Sequence, residues 1–201
     1  MRIAVCGTKG GSGKSTLAGL LALCFSDAGK YVIAGDKDPQ KTLTTWLRSV
    51  GGKEGNVPLA KEMAPCEITT LGSVTLEQGS IHITDYPPAS PDVLLSLLGT
   101  AWDYVLVPCR PAVADIWSIR SWLERLQGYN GKVRLVMNAL DNSAISKAEG
   151  LDSLLKGIKT PRTKATLSRR ACYSYAMVNG WKALDEKAKS EVLSLALEIS
   201  R

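Results

Sequence analysis

Nine residues near the start of the chain, Thr8-Lys9-Gly10-Gly11-Ser12-Gly13-Lys14-Ser15-Thr16, restrict what it can fold into more than any other stretch. Before them runs Ile3-Ala4-Val5-Cys6, an apolar segment that reads as a buried strand; after them Leu17-Ala18-Gly19-Leu20-Leu21-Ala22-Leu23 reads as a helix. A glycine-rich turn between strand and helix, closing on Gly-Lys-Ser, is built to hold an anion. Glycine lets successive backbone N–H groups converge on one point, and the helix N-terminus adds partial positive charge. Lys14 is placed to reach the β- and γ-phosphates of a nucleotide, and the Ser15 hydroxyl to hold Mg²⁺.

Beyond this cradle, apolar runs keep alternating with helical patterns, the signature of an α/β fold with a mainly parallel sheet. Tyr31 to Gly35 reads as the second strand, ending on Asp36-Lys37-Asp38-Pro39-Gln40, and residues 41 to 50 read as a helix with Leu43, Trp46, Leu47 and Val50 on one side. Cys66 to Leu71 has the β-branched content of a strand, whereas the wider section from Val57 to Gln78 gives little to read. Ser80 to Asp85 alternates and ends in an aspartate ahead of Tyr86-Pro87-Pro88; His82 inside it reads as a packed or edge residue rather than a catalyst. Helices are predicted over Asp92–Leu98, Asp115–Leu126, Ile145–Lys156, Arg169–Val178 and Lys182–Ile199. Strands are predicted over Tyr104–Pro108 and Val133–Asn138, with a last, polar one over Thr160–Leu167. Trp117 and Trp122 flank the apolar stripe of their helix and read as packing or interface residues.

Strand ends are where ligands sit in such sheets, so the carboxylates Asp36, Asp38 and Asp85 belong beside the cradle. Asp85 has the placement of an aspartate that orients Mg²⁺ through a coordinated water. With 201 residues and 45% hydrophobic content the chain suits one domain over residues 1–201, and the net charge of +6 permits an anionic partner without demonstrating one. No apolar run has the length of a membrane-spanning helix, and no leader is read before the first strand. The five cysteines are scattered, which argues against a disulfide framework or a zinc site and suits a reducing cytoplasm.

The pattern x-Lys-Gly-Gly-x-Gly-Lys-Ser/Thr, with Thr8 where the ordinary motif has glycine and Lys9 as a second lysine, resembles the deviant Walker motif of the ParA/MinD family of ATPases. Asp36-Lys37-Asp38-Pro39-Gln40 resembles the switch I segment of the ParA group. Asp103 to Pro108, Asn138, and Thr166 to Tyr173 with Gly180 match more loosely. The resemblance implies a three-layer P-loop NTPase fold whose twisted sheet is flanked by helices, and ATP and Mg²⁺ as cofactors. It implies that Lys9, Gly10, Gly11, Ser12, Gly13, Lys14, Ser15 and Thr16 bind the nucleotide, with Asn138 against adenine. Ser15, Asp36 and Asp85 would serve the metal, Asp38 would position the attacking water, and Lys9 would reach the nucleotide of a partner subunit in an ATP-sandwich homodimer. The members most like this chain are short ParA partitioning proteins, so no operator-reading helix-turn-helix is expected.

The function so implied is partitioning of plasmid or chromosomal DNA by a cytoplasmic, nucleoid-associated ATPase. Its weak turnover would be stimulated by a ParB-like centromere-binding protein. Non-specific DNA contact is assigned to the cluster Lys156, Lys159, Arg162, Lys164, Arg169 and Arg170. The alternative is MinD-like positioning at a membrane surface. That needs an amphipathic C-terminal helix, and Glu191 to Ile199 carries two glutamates and no aromatic residue, so no stable membrane association is expected.

Overall fold

The computed structural model describes residues 1–51, 57–58, 65–69, 79–98, 102–126, 132–141, 143 and 148–201. Seven strands form one sheet: β1 (Arg2–Val5), β2 (Val32–Asp36), β3 (Val57–Pro58), β4 (Pro65–Thr69), β5 (Ile81–Asp85), β6 (Tyr104–Cys109) and β7 (Lys132–Met137), in the order β3-β4-β2-β5-β1-β6-β7. All neighbours are parallel except the short edge pair of β3 and β4. Seven α-helices are described: α1 (Lys14–Asp27), α2 (Thr42–Gly51), α3 (Pro91–Leu98), α4 (Val113–Arg125), α5 (Ala148–Leu154), α6 (Cys172–Asn179) and α7 (Glu186–Ile199).

Strand side chains alternate between two cores, as a sheet covered on both faces requires. Ile3 and Val5 join one cluster with Leu17 and Leu20 of α1, Trp46 of α2, Tyr173 of α6 and Val192 of α7. Ala4 and Cys6 join the other, with Leu94 of α3, Ile116 and Trp122 of α4, and Leu151 of α5. The architecture is the expected three-layer α/β arrangement. Contact between α1 and α2 is very close: a Cβ on Gly19 would meet the Trp46 ring at 2.0 Å, and the Trp46 indole N–H donates to the Ala176 carbonyl at 2.8 Å.

Register places the chemistry. Asp85 stands opposite Val5 on one side and Asp36 on the other, so the start of the cradle and two carboxylates occupy adjacent strand ends. His82 packs as expected, half-buried, with its ring 5.6 Å from that of Trp102. The two tryptophans of α4 separate: Trp122 is fully buried, whereas Trp117 is 70% exposed.

Three expectations need correction. Residues 160–167 form no strand: they meet β7 at one isolated bridge, Leu135 with Arg162, and at a single further bond from Leu167 N to the Met137 carbonyl, and Pro161 has no N–H to continue a ladder. Helix α6 starts at Cys172 rather than Arg169, because the Leu140–Ser168 bridge and the Arg169 N–H bond to the Leu140 carbonyl tie residues 168–169 to the segment after β7. Helix α7 starts at Glu186 rather than Lys182, because the Asp185 carboxylate caps it by accepting from the Ala188 N–H at 2.8 Å, and it gives Val192, Leu195, Ala196 and Ile199 to the core. The expected surface loop over residues 51–56 lies almost wholly outside the described residues, as does the start of the helix expected from Ile145.

Candidate functional site

The cradle is wound by glycine. Gly11 and Gly13 have φ of 72° and 93°, in the left-handed region that other residues adopt at a cost, and Gly13 is the residue from which α1 starts. Gly13 is also fixed by packing, since a Cβ there would lie 2.0 Å from the Asn138 amide nitrogen. That amide donates to the Ser12 carbonyl at 2.9 Å, and its oxygen accepts from the Ala139 N–H at 2.8 Å. Asn138, expected against adenine, thus braces the loop from the end of β7 while lining the cavity beside it. Gly13→Ala is expected to weaken nucleotide binding by about tenfold or more, because φ strain and the Asn138 clash act on the same turn; titration with a fluorescent nucleotide checks this.

Lys14 is buried, and its ammonium donates to the Lys9 carbonyl at 3.0 Å. Burial lowers its pKa, with the nearby Asp85 and Asp38 carboxylates opposing the shift. Its charge is held inside the loop's own curl, where phosphate oxygens would supply stronger acceptors.

The three carboxylates have different jobs. Asp36 is buried and has both oxygens occupied by backbone donors, Asp38 N at 3.0 Å and Thr44 N at 2.9 Å. It fastens the Asp36–Gln40 loop to the first turn of α2. The Lys41 ammonium bonds its carbonyl at 2.7 Å, with Lys41 itself at φ 53°. Asp38 accepts from Gln40 N at 2.9 Å. Asp85 is wholly buried, and neither carboxylate oxygen has a hydrogen-bond partner among the described residues. Burial raises its pKa to about 7; the Ser15 hydroxyl beside it, outside good hydrogen-bond geometry, pulls the other way. Two contacts tie the switch loop to the Asp85 strand: Lys37 N donates to the Asp85 carbonyl at 2.9 Å, and the Lys37 ammonium lies 5.1 Å over the Tyr86 ring.

These groups fit Mg²⁺. An orphaned buried carboxylate stands beside a hydroxyl on the first turn of α1, and no group of three or more His, Cys, Asp or Glu side chains able to hold a metal occurs among the described residues. That donor set suits an ion that keeps water and phosphate as its other ligands. Ser15 and Asp85 would hold it; Asp36, already doubly bonded, has less to offer.

Lys9 is held by α4. Its ammonium is ion-paired with Asp115 on α4, and Arg110 Nε meets the same carboxylate at 2.6 Å. Burial alone would raise the Asp115 carboxyl, but Arg110 and Lys9 outweigh it and hold the pKa below the ordinary value. Thr8 adds a hydroxyl bond to the Ser118 carbonyl, 3.3 Å away on the next turn of α4. In sequence Asp115 reads only as the start of a helix; its one local signal is its place in the first turn of α4, the helix that follows β6.

Next to the cradle opens a cavity of about 570 Å³, lined by Gly13, Arg110, Asn138, Asp141, Arg169 and Tyr173 among others. Its far wall is set by Glu191 of α7. That carboxylate accepts from Ser168 N (2.9 Å) and Oγ (2.7 Å), from Arg170 Nη2 (2.6 Å) and Nε (3.2 Å), and from the Tyr173 hydroxyl (2.7 Å). Arg170 is therefore committed internally, and Arg162 pairs with Asp152 at 3.1 Å. Lys156, Lys159, Lys164 and Arg169 are exposed.

Comparison with known proteins bears on the fold and the family. "Maintenance of carboxysome distribution protein A" of Halothiobacillus neapolitanus is 25% identical over 186 residues, covering 89% of this chain and 84% of that protein. Among solved structures, the MinC:MinD cell division complex of Aquifex aeolicus superposes with a TM-score of 0.76 at 16% identity, covering 99% of this chain and 95% of that one. An ATP complex of Cyanothece McdA gives 0.68 at 17% identity, with 99% and 95% covered. The profile of the CobQ/CobB/MinD/ParA nucleotide-binding domain matches residues 3–180, and the chain belongs to that family.

Proposed function

We propose that this chain is a ParA-type ATPase that closes face to face with a second copy over Mg-ATP and, as a dimer, holds DNA without sequence preference. A cargo-bound activator then triggers hydrolysis and release. Its cargo on this reading is plasmid or chromosomal DNA, and the activator a ParB-like centromere-binding protein. Two relatives are named for maintenance of carboxysome distribution, which makes a protein cargo the second reading. The ion would neutralise β/γ-phosphate charge. Lys14 supplies a fixed cation to the same oxygens, Asp38 orients the attacking water, and Asp36 keeps the Asp38 loop in place. Lys9, delivered by the partner subunit, adds positive charge as the leaving group departs.

The observation that carries the reading is the position of Lys9. Its side chain is 38% exposed, and its ammonium is bound to Asp115 of α4. A lysine kept there in the single chain is available to another. Dimerisation and ATP binding then form one linked equilibrium. Particle mass with ADP and with a non-hydrolysable ATP analogue tests this: a dimer is expected only with the analogue, and a monomer under both conditions overturns the reading.

Supporting the DNA step are Lys156, Lys159, Lys164 and Arg169, which keep exposed charge, whereas Arg162 and Arg170 are paired. Replacing Lys156, Lys159 and Lys164 together by alanine is expected to weaken ATP-dependent retention on random-sequence DNA by about tenfold or more and to flatten its salt dependence. Replacing Arg170 should instead show as lost stability. Membrane-surface positioning is disfavoured, because α7 gives its apolar face to the core and leaves Leu193 and Leu197 as its exposed large apolar residues.

A further inference from the structure

Asp115 holds two cations, and only one of them is needed at the phosphate. Its side chain is 5% exposed, with Lys9 on Oδ1 and Arg110 on Oδ2 through Nε at 2.6 Å; Arg110 Nη2 lies 3.4 Å from Oδ1. A lysine alone on a buried carboxylate would be hard to remove, because its departure strands an uncompensated charge. Arg110 changes that balance. Its planar fork already engages both oxygens, and it comes from the short connection between β6 and α4, outside the cradle. Lys9 belongs to the glycine-rich loop and can leave with it.

We propose that Arg110 is a positioning residue that frees Lys9: it keeps Asp115 paired when Lys9 swings out to the partner subunit's nucleotide. Asp115 is then a docking point that Lys9 occupies in the single chain and vacates in the pair, and Arg110 sets how easily it leaves. This rests on the reading of Lys9 as the lysine shared between two copies. The geometry gives Arg110 a further consequence, since the same side chain lines the nucleotide cavity and so stands where an arriving nucleotide meets it. A direct effect on nucleotide and an effect through Asp115 must therefore be separated, and a double-mutant cycle does this.

The measurement is the dimer dissociation constant of the full chain with a non-hydrolysable ATP analogue and Mg²⁺, alongside the analogue's affinity for dilute monomer. Arg110→Ala is expected to raise the dimer constant by about tenfold or more, since Lys9 must now abandon a buried carboxylate. Arg110→Lys, which keeps one cation on Asp115, should recover part of the loss. Asp115→Asn should tighten the dimer, and in that background Arg110→Ala should change the dimer constant less than about twofold. If Arg110→Ala dimerises like the parent chain, or its effect persists in Asp115→Asn, the proposal is overturned while ATP-dependent pairing stands. If the parent chain itself never pairs with the analogue, the sandwich reading falls, and the role of Arg110 with it. Arg110 is a half-exposed surface side chain, so its loss does not threaten the core, and Arg110→Lys controls for any local disturbance.

Discussion

Asp85→Asn is expected to make the nucleotide-free protein more stable by about 1–2 kcal/mol and the Mg-ATP-loaded protein slower by about 100-fold or more. The two effects share one cause. The Asp85 side chain is wholly buried at the end of β5, with no partner on either oxygen among the described residues and a pKa raised to about 7 by burial. Folding brings a carboxyl into a place where nothing in the chain satisfies it, which is a cost tolerated only where something else will bind. Asparagine keeps the shape and removes the ionisable group, so the empty site relaxes. The same change removes the negative charge available to Mg²⁺ beside Ser15, and with it the means of neutralising the phosphates. Denaturant unfolding without nucleotide gives the first effect and steady-state phosphate release the second. A variant that loses stability without nucleotide would mean that Asp85 has a structural partner, and one that keeps its turnover would remove Asp85 from the metal site.

Asp85 also shows which features of the site were legible in the sequence. Its placement could be read because a buried parallel strand is a continuous apolar run, and the residue that ends it falls beside the ends of its neighbours; Asp36 and the cradle follow the same logic. What each carboxylate does was less visible. Asp36 and Asp85 look alike in the chain, yet one is saturated by the N–H groups of Asp38 and Thr44 and the other is left bare. That difference comes from how the loop after β2 turns onto α2, which no local pattern encodes. Lys9 and Asp115 are 106 residues apart, and Trp46 and Ala176 are 130 apart. Only the folded sheet brings such pairs together. Residues 160–167 depart from the expected polar strand for a related reason: Pro161 and the diversion of Ser168 N to Glu191 leave one bridge and a few single bonds to β7.

Glu191→Gln is expected to destabilise the protein by about 3 kcal/mol at pH 7, with the loss shrinking to about half that at pH 3. Burial alone would raise the Glu191 carboxyl, but Arg170, Ser168 and Tyr173 donate to it and bring its pKa down to about 2 from an ordinary 4.5. A carboxylate whose folded pKa is depressed adds stability that is complete above the unfolded value and vanishes as pH falls through the folded one. The window therefore runs from about 4.5 down to about 2. Its side chain is 19% exposed, enough enclosure for these bonds to escape most solvent screening. Glutamine keeps the length but replaces one acceptor with an amide donor, which must face Arg170 or Ser168 N–H and cannot satisfy them. Urea titrations of both proteins at pH 7 and pH 3 measure the difference; an equal loss at the two pH values would show that shape, not charge, is what Glu191 supplies. The consequence extends beyond stability, because Ser168, Arg170 and Tyr173 line the cavity beside the cradle while Glu191 belongs to α7, a helix packed on α1 behind the cradle. Loosening that carboxylate frees the cavity wall from the helix that backs the phosphate loop, so nucleotide affinity should fall in Glu191→Gln even under conditions where the protein remains folded.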